Sequence, residues 1–286
     1  MPVGIRVSSR GCVTGLTHPY AVGTVPMAHP TQQSLIAVVF ILVFVAAMGL
    51  PCGPARGEDF RVENKVFVGG DSEPKIQSST IFYEGVVYDF LEKPREITVF
   101  DKARKRFVLL DPARRLRTDV STDEVEALNH NLKVWAVSQR DATVRFLGNP
   151  KFEESVDAKT GALVFDSPWV TYRVAAEPAA SEEIARQYRE FSDWYIQLNA
   201  RLHPGYKQTF ARLIVNEALE KRKAVPREVH LTIKSKLPFQ KTTARSEHQL
   251  IRRLLQSDRD RVAQTDEFMA IFQPVAFEQY QKKLEP

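Results

Sequence analysis

The sequence predicts an α+β fold: a curved antiparallel meander sheet packed by helices, with a helical hairpin inserted and a helical C-terminus. Three observations predict it. Short β-rich runs parted by turn residues fill residues 60–120. An apolar ladder at helical spacing follows near residue 184. The 229 residues after Gly57 hold no cysteine yet are numerous enough to bury a core without disulfides.

The strand runs come in order. Residues 60–68 alternate through Val62, Val66 and Val68 and stop at Gly69-Gly70-Asp71. Residues 79–83 and 86–91 flank Glu84-Gly85, a two-residue hairpin signal. Lys93-Pro94 breaks the chain before 96–100, where Ile97 and Val99 share a face. The turn at 101–105 leads to 107–110, and Asp111-Pro112, suited to a type I turn, leads to 116–120. Connections this short exclude parallel crossovers. Ser121 and Glu124 form a capping-box pair opening a helix to about Ser138 that buries Val125, Leu128, Leu132 and Trp135.

Further strands are expected at 143–147, 152–156, 162–165 and 169–175. A helix then carries Ile184, Tyr188, Phe191, Tyr195, Leu198 and Leu202 and ends at His203-Pro204-Gly205. A second helix over 207–221 completes a hairpin within 181–222, and an alternating strand covers 228–235. Residues 244–286 read as a helical tail. No internal repeat or low-complexity segment is evident. Residues 58–286 are therefore expected to form one domain behind a leader of residues 1–57.

The leader contains 16 consecutive apolar residues, 35–50. As a helix these span roughly 24 Å at about 1.5 Å per residue, between the lengths of a signal core and a spanning segment. Helix breakers follow, and Ala55 and Gly57 place small residues before Glu58, so the stretch reads as a signal peptide cleaved at Glu58. The alternative is a retained membrane anchor. Met27 is an alternative start to Met1, at the cost of Arg6 and Arg10. Pro51 before Cys52 is a poor lipidation site. Both cysteines, Cys12 and Cys52, lie in this leader.

No acidic residue precedes Glu58. Taking Arg6, Arg10 and Arg56 from the 40 Lys+Arg leaves 37 against all 35 Asp+Glu. The body is nearly neutral, which argues against a nucleic-acid partner.

Site chemistry is sparse. His130, His203, His230 and His248 form no metal-binding spacing and read as exposed or capping histidines. No nucleophile elbow, Ser-x-x-Lys or phosphate-binding glycine motif occurs, so neither a metal nor a cofactor is implied. Glu153-Glu154, Glu182-Glu183 and Asp258/Asp260 read as solvated carboxylates; a secreted hydrolase acting on envelope polymer through a carboxylate pair is one alternative function. Lys102, Arg104, Lys105 and Arg106 at one turn, with Arg114, Arg115 and Arg117 at the next, suit an anionic surface. Residues 107–110 are apolar on both faces and 86–91 nearly so. Core packing explains this, and so does an apolar ligand pocket.

The stretch ITVFDKARKRFVLLDPARRLRTDVS resembles the central hairpins of LolA-like periplasmic lipoprotein carriers, where a strand ending in Asp leads to a strand ending in a DP turn. The resemblance covers residues 60–120 and extends toward residue 175. It implies an incomplete antiparallel barrel closed by helices, with an apolar cavity for lipid acyl chains. An exported bacterial protein family of unassigned function sharing this half-barrel is the alternative kinship. On this reading the protein is exported and non-enzymatic. It binds a lipid or lipoprotein in a cavity lined by Val86, Tyr88, Phe90, Ile97, Val99, Phe107 and Leu109, and meets a membrane during export or through the anchor. A structural or interaction module held at the membrane by residues 35–50 is a further alternative.

Overall fold

A computed structural model describes residues 57–205, 208–234 and 241–282. The expected signal core, anchor, Met27 and Ala55 lie outside the described residues.

The fold is mixed α+β. One twelve-stranded sheet, not closed into a barrel, runs in the order β12-β6-β5-β4-β3-β2-β1-β11-β10-β9-β8-β7. Its first half is the expected meander: β1 (Phe60–Val68), β2 (Ile76–Tyr83), β3 (Val86–Leu91), β4 (Glu96–Asp101), β5 (Arg106–Asp111) and β6 (Leu116–Ser121). Glu84 and Gly85 both take positive φ, of 49° and 81°, as a two-residue hairpin requires. From β3 onward each strand has six residues, and four-residue loops pair Leu91 with Glu96, Asp101 with Arg106, and Asp111 with Leu116. Two of these turns are built alike. Asp101 accepts from the Arg104 amide at 3.1 Å and Asp111 from the Arg114 amide at 2.9 Å, while Lys105 and Arg115 adopt positive φ.

The second half comprises β7 (Glu153–Val156), β8 (Leu163–Asp166), β9 (Val170–Pro178), β10 (Ala224–Lys234) and β11 (Lys241–Ile251). Pro226 is accommodated in β10 at a register shift against β9. The two-residue β12 (Gln273–Pro274) caps the edge of β6 in the only parallel pairing among the described residues.

Six helices are described: α1 (Thr122–Ser138), α2 (Ala142–Gly148), α3 (Glu182–Leu202), α4 (Thr209–Lys221), α5 (Gln256–Ile271) and α6 (Phe277–Gln281). Ser121 caps α1 by accepting the Glu124 amide at 3.1 Å, and Ser181 caps α3 by accepting the Ile184 amide at 3.0 Å. The α3–α4 pair is the expected hairpin, inserted between the paired strands β9 and β10.

Two expectations are corrected. Residues 143–147 form helix α2, not a strand, because Asp141 accepts from the Thr143 and Val144 amides and seeds a turn. That turn presents Phe146 to Phe152 and Trp169, and this local capping and burial overrides β-propensity. The tail is not helical throughout: residues 241–251 are β11, which bonds to β1 on one side and β10 on the other and so joins the two halves of the sheet.

Both faces of the sheet are covered over the meander. One face carries Phe60, Val62, Phe82, Val87, Phe100, Phe107, Leu109 and Val120 against α1, α3 and α6. Phe60 stacks on Phe82 at 4.1 Å, and Phe82 meets Phe191 of α3 edge-on at 5.7 Å. Its continuation over β8–β10 packs Phe165, Tyr172, Val174 and Val229 against α4. The opposite face carries Ile81, Tyr88, Phe90, Ile97, Val99, Val108 and Leu110 against α5. We call these the hairpin face and the α5 face.

Candidate functional site

The residues expected to line one cavity fall on two faces. Val86, Tyr88, Phe90, Ile97 and Val99 belong to the α5 face, Phe107 and Leu109 to the hairpin face. Register decides this: Val99 pairs with Val108 and Ile97 with Leu110, so Phe107 and Leu109 point the other way. Six of the seven are buried and Val86 is half-buried, each among core side chains.

The basic residues also separate. The β4–β5 and β5–β6 loops lie at opposite ends of the meander, so the seven cations do not form one patch. Most are engaged within the protein. Lys102 pairs with Glu190 of α3 at 2.5 Å, Arg104 with Asp101 at 2.7 Å and Arg106 with Asp119 at 2.9 Å. Arg114 pairs with Asp111 and donates to the Tyr280 carbonyl at 2.8 Å, and Arg117 donates to the Met269 carbonyl near the end of α5. Lys105 and Arg115 are exposed and occupy the positive-φ turn positions.

The remaining expected groups are placed as follows. The Glu58 amide donates to Gln187 of α3 at 3.1 Å, and Gly57 lies against the same side chain. Glu154 pairs with Arg222, Glu182 with Lys223 and Glu183 with Arg186. Asp258 is a correction to the solvated reading: it is 1% exposed, pairs with Arg61 at 2.6 Å and caps α5 through the Leu255 amide. Among the described residues no cluster of three or more potential metal ligands occurs, and no helix is long and apolar enough to cross a membrane.

His248 also departs from the expectation of an exposed or capping histidine. It is half-buried on the hairpin face of β11, at the centre of a polar chain across four strands. Ser246 Oγ lies 2.9 Å from His248 Nε2, and His248 Nδ1 lies 2.8 Å from Asn64 Oδ1. Asn64 Nδ2 is 3.0 Å from Thr80 Oγ1, 3.3 Å from Ser78 Oγ and 3.4 Å from the Val62 carbonyl. Thr80 Oγ1 is 2.6 Å from Asp89 Oδ1, and Tyr195 of α3 donates to Asp89 Oδ2 at 3.1 Å.

The direction of these bonds follows from elementary inventory. A backbone carbonyl only accepts, so the Asn64 atom facing Val62 is the NH2 and the one facing His248 is the oxygen. Nδ1 of His248 therefore carries the ring proton. Nε2 is left with a lone pair, and Ser246 must donate to it. With Asp89 ionised, every bond from Ser246 through Thr80 donates toward that carboxylate.

Burial sets the electrostatics of this chain. It pushes His248 down to about 3, with the charge of Arg212 on α4 adding to the effect. It pushes the Asp89 carboxyl up, partly offset by the Thr80, Tyr195 and Ser78 hydroxyls. The Tyr195 phenol is raised well above its ordinary value by burial and by Asp89. Tyr188 of α3, edge-on to the His248 ring at 6.5 Å, is raised by burial and faces Arg212 and Ser192.

A second feature lies on α1. Leu128, Leu132 and Trp135 follow one another at i, i+4 and i+7, the stripe the sequence assigns to the core. Leu128 is half-buried, but Leu132 is 37% and Trp135 57% exposed. The helix is anchored instead by Val125, by Ala136 and by Asn129, whose amide donates to the Gln197 carbonyl of α3 at 3.1 Å.

No protein-family model matches the chain, and no curated protein matches it. Among solved structures, a LolA superfamily protein from Nitrosomonas europaea is similar at 8% identity and a TM-score of 0.28, over 77% of this chain and 94% of that one.

Proposed function

We propose that the protein is an exported binder of a lipid-like apolar ligand, received on the exposed apolar stripe of α1. The observation that carries the reading is the stripe on α1. Leu128, Leu132 and Trp135 lie in register along the helix, and the last two leave the core and are exposed. Covering a side chain as large as Leu or Trp gains about 1.5–3 kcal/mol, and an acyl chain suits a narrow helical stripe. The export half of the proposal rests on residues 35–58, where an apolar core is followed by helix breakers and small residues before Glu58.

Oleate titrated into the full chain while tryptophan emission is followed tests the ligand class. The expected result is a saturable shift that is weakened about 10-fold or more in Trp135→Ala and in Leu132→Ser. Oleate binding that is equal in wild type and both variants overturns the assignment to α1, and absence of binding overturns the ligand class. N-terminal sequencing from fractionated cells tests export: Glu58 as the first residue in a soluble envelope fraction is expected, and an intact leader in the membrane pellet contradicts cleavage.

A further inference from the structure

The chain Ser246–His248–Asn64 is more than a buried polar patch. Its bonds are those needed to activate a serine: hydroxyl to Nε2, and Nδ1–H to a side-chain oxygen that fixes the tautomer. Asn64 is itself fixed, because its amide is held by Thr80, Ser78 and the Val62 carbonyl. The three residues come from adjacent, fully paired strands, so the geometry rests on the rigid part of the fold. Ser246 and His248 are half-buried, so neither is sealed from solvent as a whole residue.

We infer that Ser246 is a nucleophile for carboxylic esters, with His248 as its general base and Asn64 as the residue that positions the imidazole. Ser246 Oγ bonds to the ester carbonyl carbon as its proton passes to His248 Nε2. The bond to the alcohol oxygen then breaks, and the alcohol leaves with that proton. Water adds to the acyl-serine, His248 again takes and returns the proton, and the free acid departs.

The third member narrows the substrate. Asn64 orients the ring but carries no charge to offset the imidazolium, and Arg212 opposes that cation. Little driving force remains for expelling a poor leaving group, so esters of good leaving groups are favoured over amides. The groups facing His248 are Ser246, Asn64, Tyr188 and Arg212, with Asp89 two bonds further along the chain. The imidazole stays neutral under their influence, so reactivity should hold level into mild acid.

This inference is independent of the apolar-ligand reading, which rests on α1. The test is a fluorophosphonate probe applied to the full chain, with the labelled peptide mapped by mass spectrometry. Attack forms the Ser246 Oγ–phosphorus bond and releases fluoride. Single labelling at Ser246, absent in Ser246→Ala and slowed about 100-fold or more in His248→Gln, is expected. Labelling should be nearly constant between about pH 8 and about pH 5, whereas an ordinary histidine base would lose activity near about 6.5. For Asn64, the Leu variant should slow labelling and the Asp variant restore or exceed it; equal loss in both would make its role merely structural. An unlabelled wild-type protein, or a label on any other residue, overturns the proposal whatever the outcome with oleate.

Discussion

The two faces of the sheet bury similar apolar side chains but treat polar groups differently. On the α5 face polar contacts gather at the ends and margins of the helix. Arg61 pairs with Asp258 at its start, Tyr88 donates to Asp266 at 3.3 Å, and Arg117 reaches the Met269 carbonyl near its end. Between them Ile81, Phe90, Val99, Val108 and Leu110 cluster with Leu254, Val262 and Phe272, with Arg261 over the Phe90 ring and the buried Thr265 bonded only to its own helix. On the hairpin face the apolar cluster is crossed by the chain from Ser246 to Asp89 and Tyr195. Apolar residues could fill that region without the cost of burying polar groups, and the cost is offset here only because each member of the chain is hydrogen-bonded. The α5 face acts as a clamp, and the hairpin face carries the chemistry.

The largest expected effect breaks the clamp. Arg61→Leu leaves Asp258 buried and unpaired, and should cost about 3–5 kcal/mol in urea unfolding. The next sharpens the contrast through pH. His248 has its folded pKa pushed down to about 3, below that of the unfolded chain, so the unfolded state takes up the proton first as pH falls. Stability from this group is therefore complete above about 6.5 and declines below it, with a slope of about 1.4 kcal/mol per pH unit toward about 3. Asp89, raised by burial, has the opposite sign: the folded state takes up its proton first, which offsets part of the decline just above the ordinary carboxylate range. His248→Gln should remove the histidine slope and leave the contribution of Asp89 in place.

Tyr195→Phe removes a donor from Asp89 and should cost about 1–3 kcal/mol, measured by thermal or urea unfolding. Ser121→Ala, which removes only the cap of α1, should cost about 1 kcal/mol. Trp135→Ala should change the stability of the unliganded protein by no more than about 0.5 kcal/mol, since the side chain is largely exposed, while weakening oleate binding.

The meander was legible because its turns are local. Glu84-Gly85, Lys93-Pro94 and the two Asp-led turns each mark a reversal in the sequence. The loops also contain the register, which the expected lining missed. Even-length loops pair odd-numbered residues with even-numbered ones, so Val86, Tyr88, Phe90, Ile97 and Val99 share a face with Val108 and Leu110. Phe107 and Leu109 stand one residue out of step with that face on β5, and an offset of one residue turns a side chain to the other face.

The site was less legible. Ser246, His248 and Leu250 alternate on one face of β11, but only Leu250 is apolar, and with Ile251, Leu254 and Leu255 it imitates a helical pattern. Nothing local reveals that β1 and β10 will pair on either side of these residues. Asn64 and His248 are 184 residues apart, and Asp258 meets its arginine across 197. Contacts of that range are made by the sheet order, which short motifs do not encode.

The directed polar chain can be tested most directly at His248 by nitrogen-15 NMR of the histidine side chains across pH. The expected result is a neutral ring protonated on Nδ1, with an unprotonated Nε2, unchanged from about pH 8 to about pH 5. A proton on Nε2, or titration near about 6.5, would contradict it.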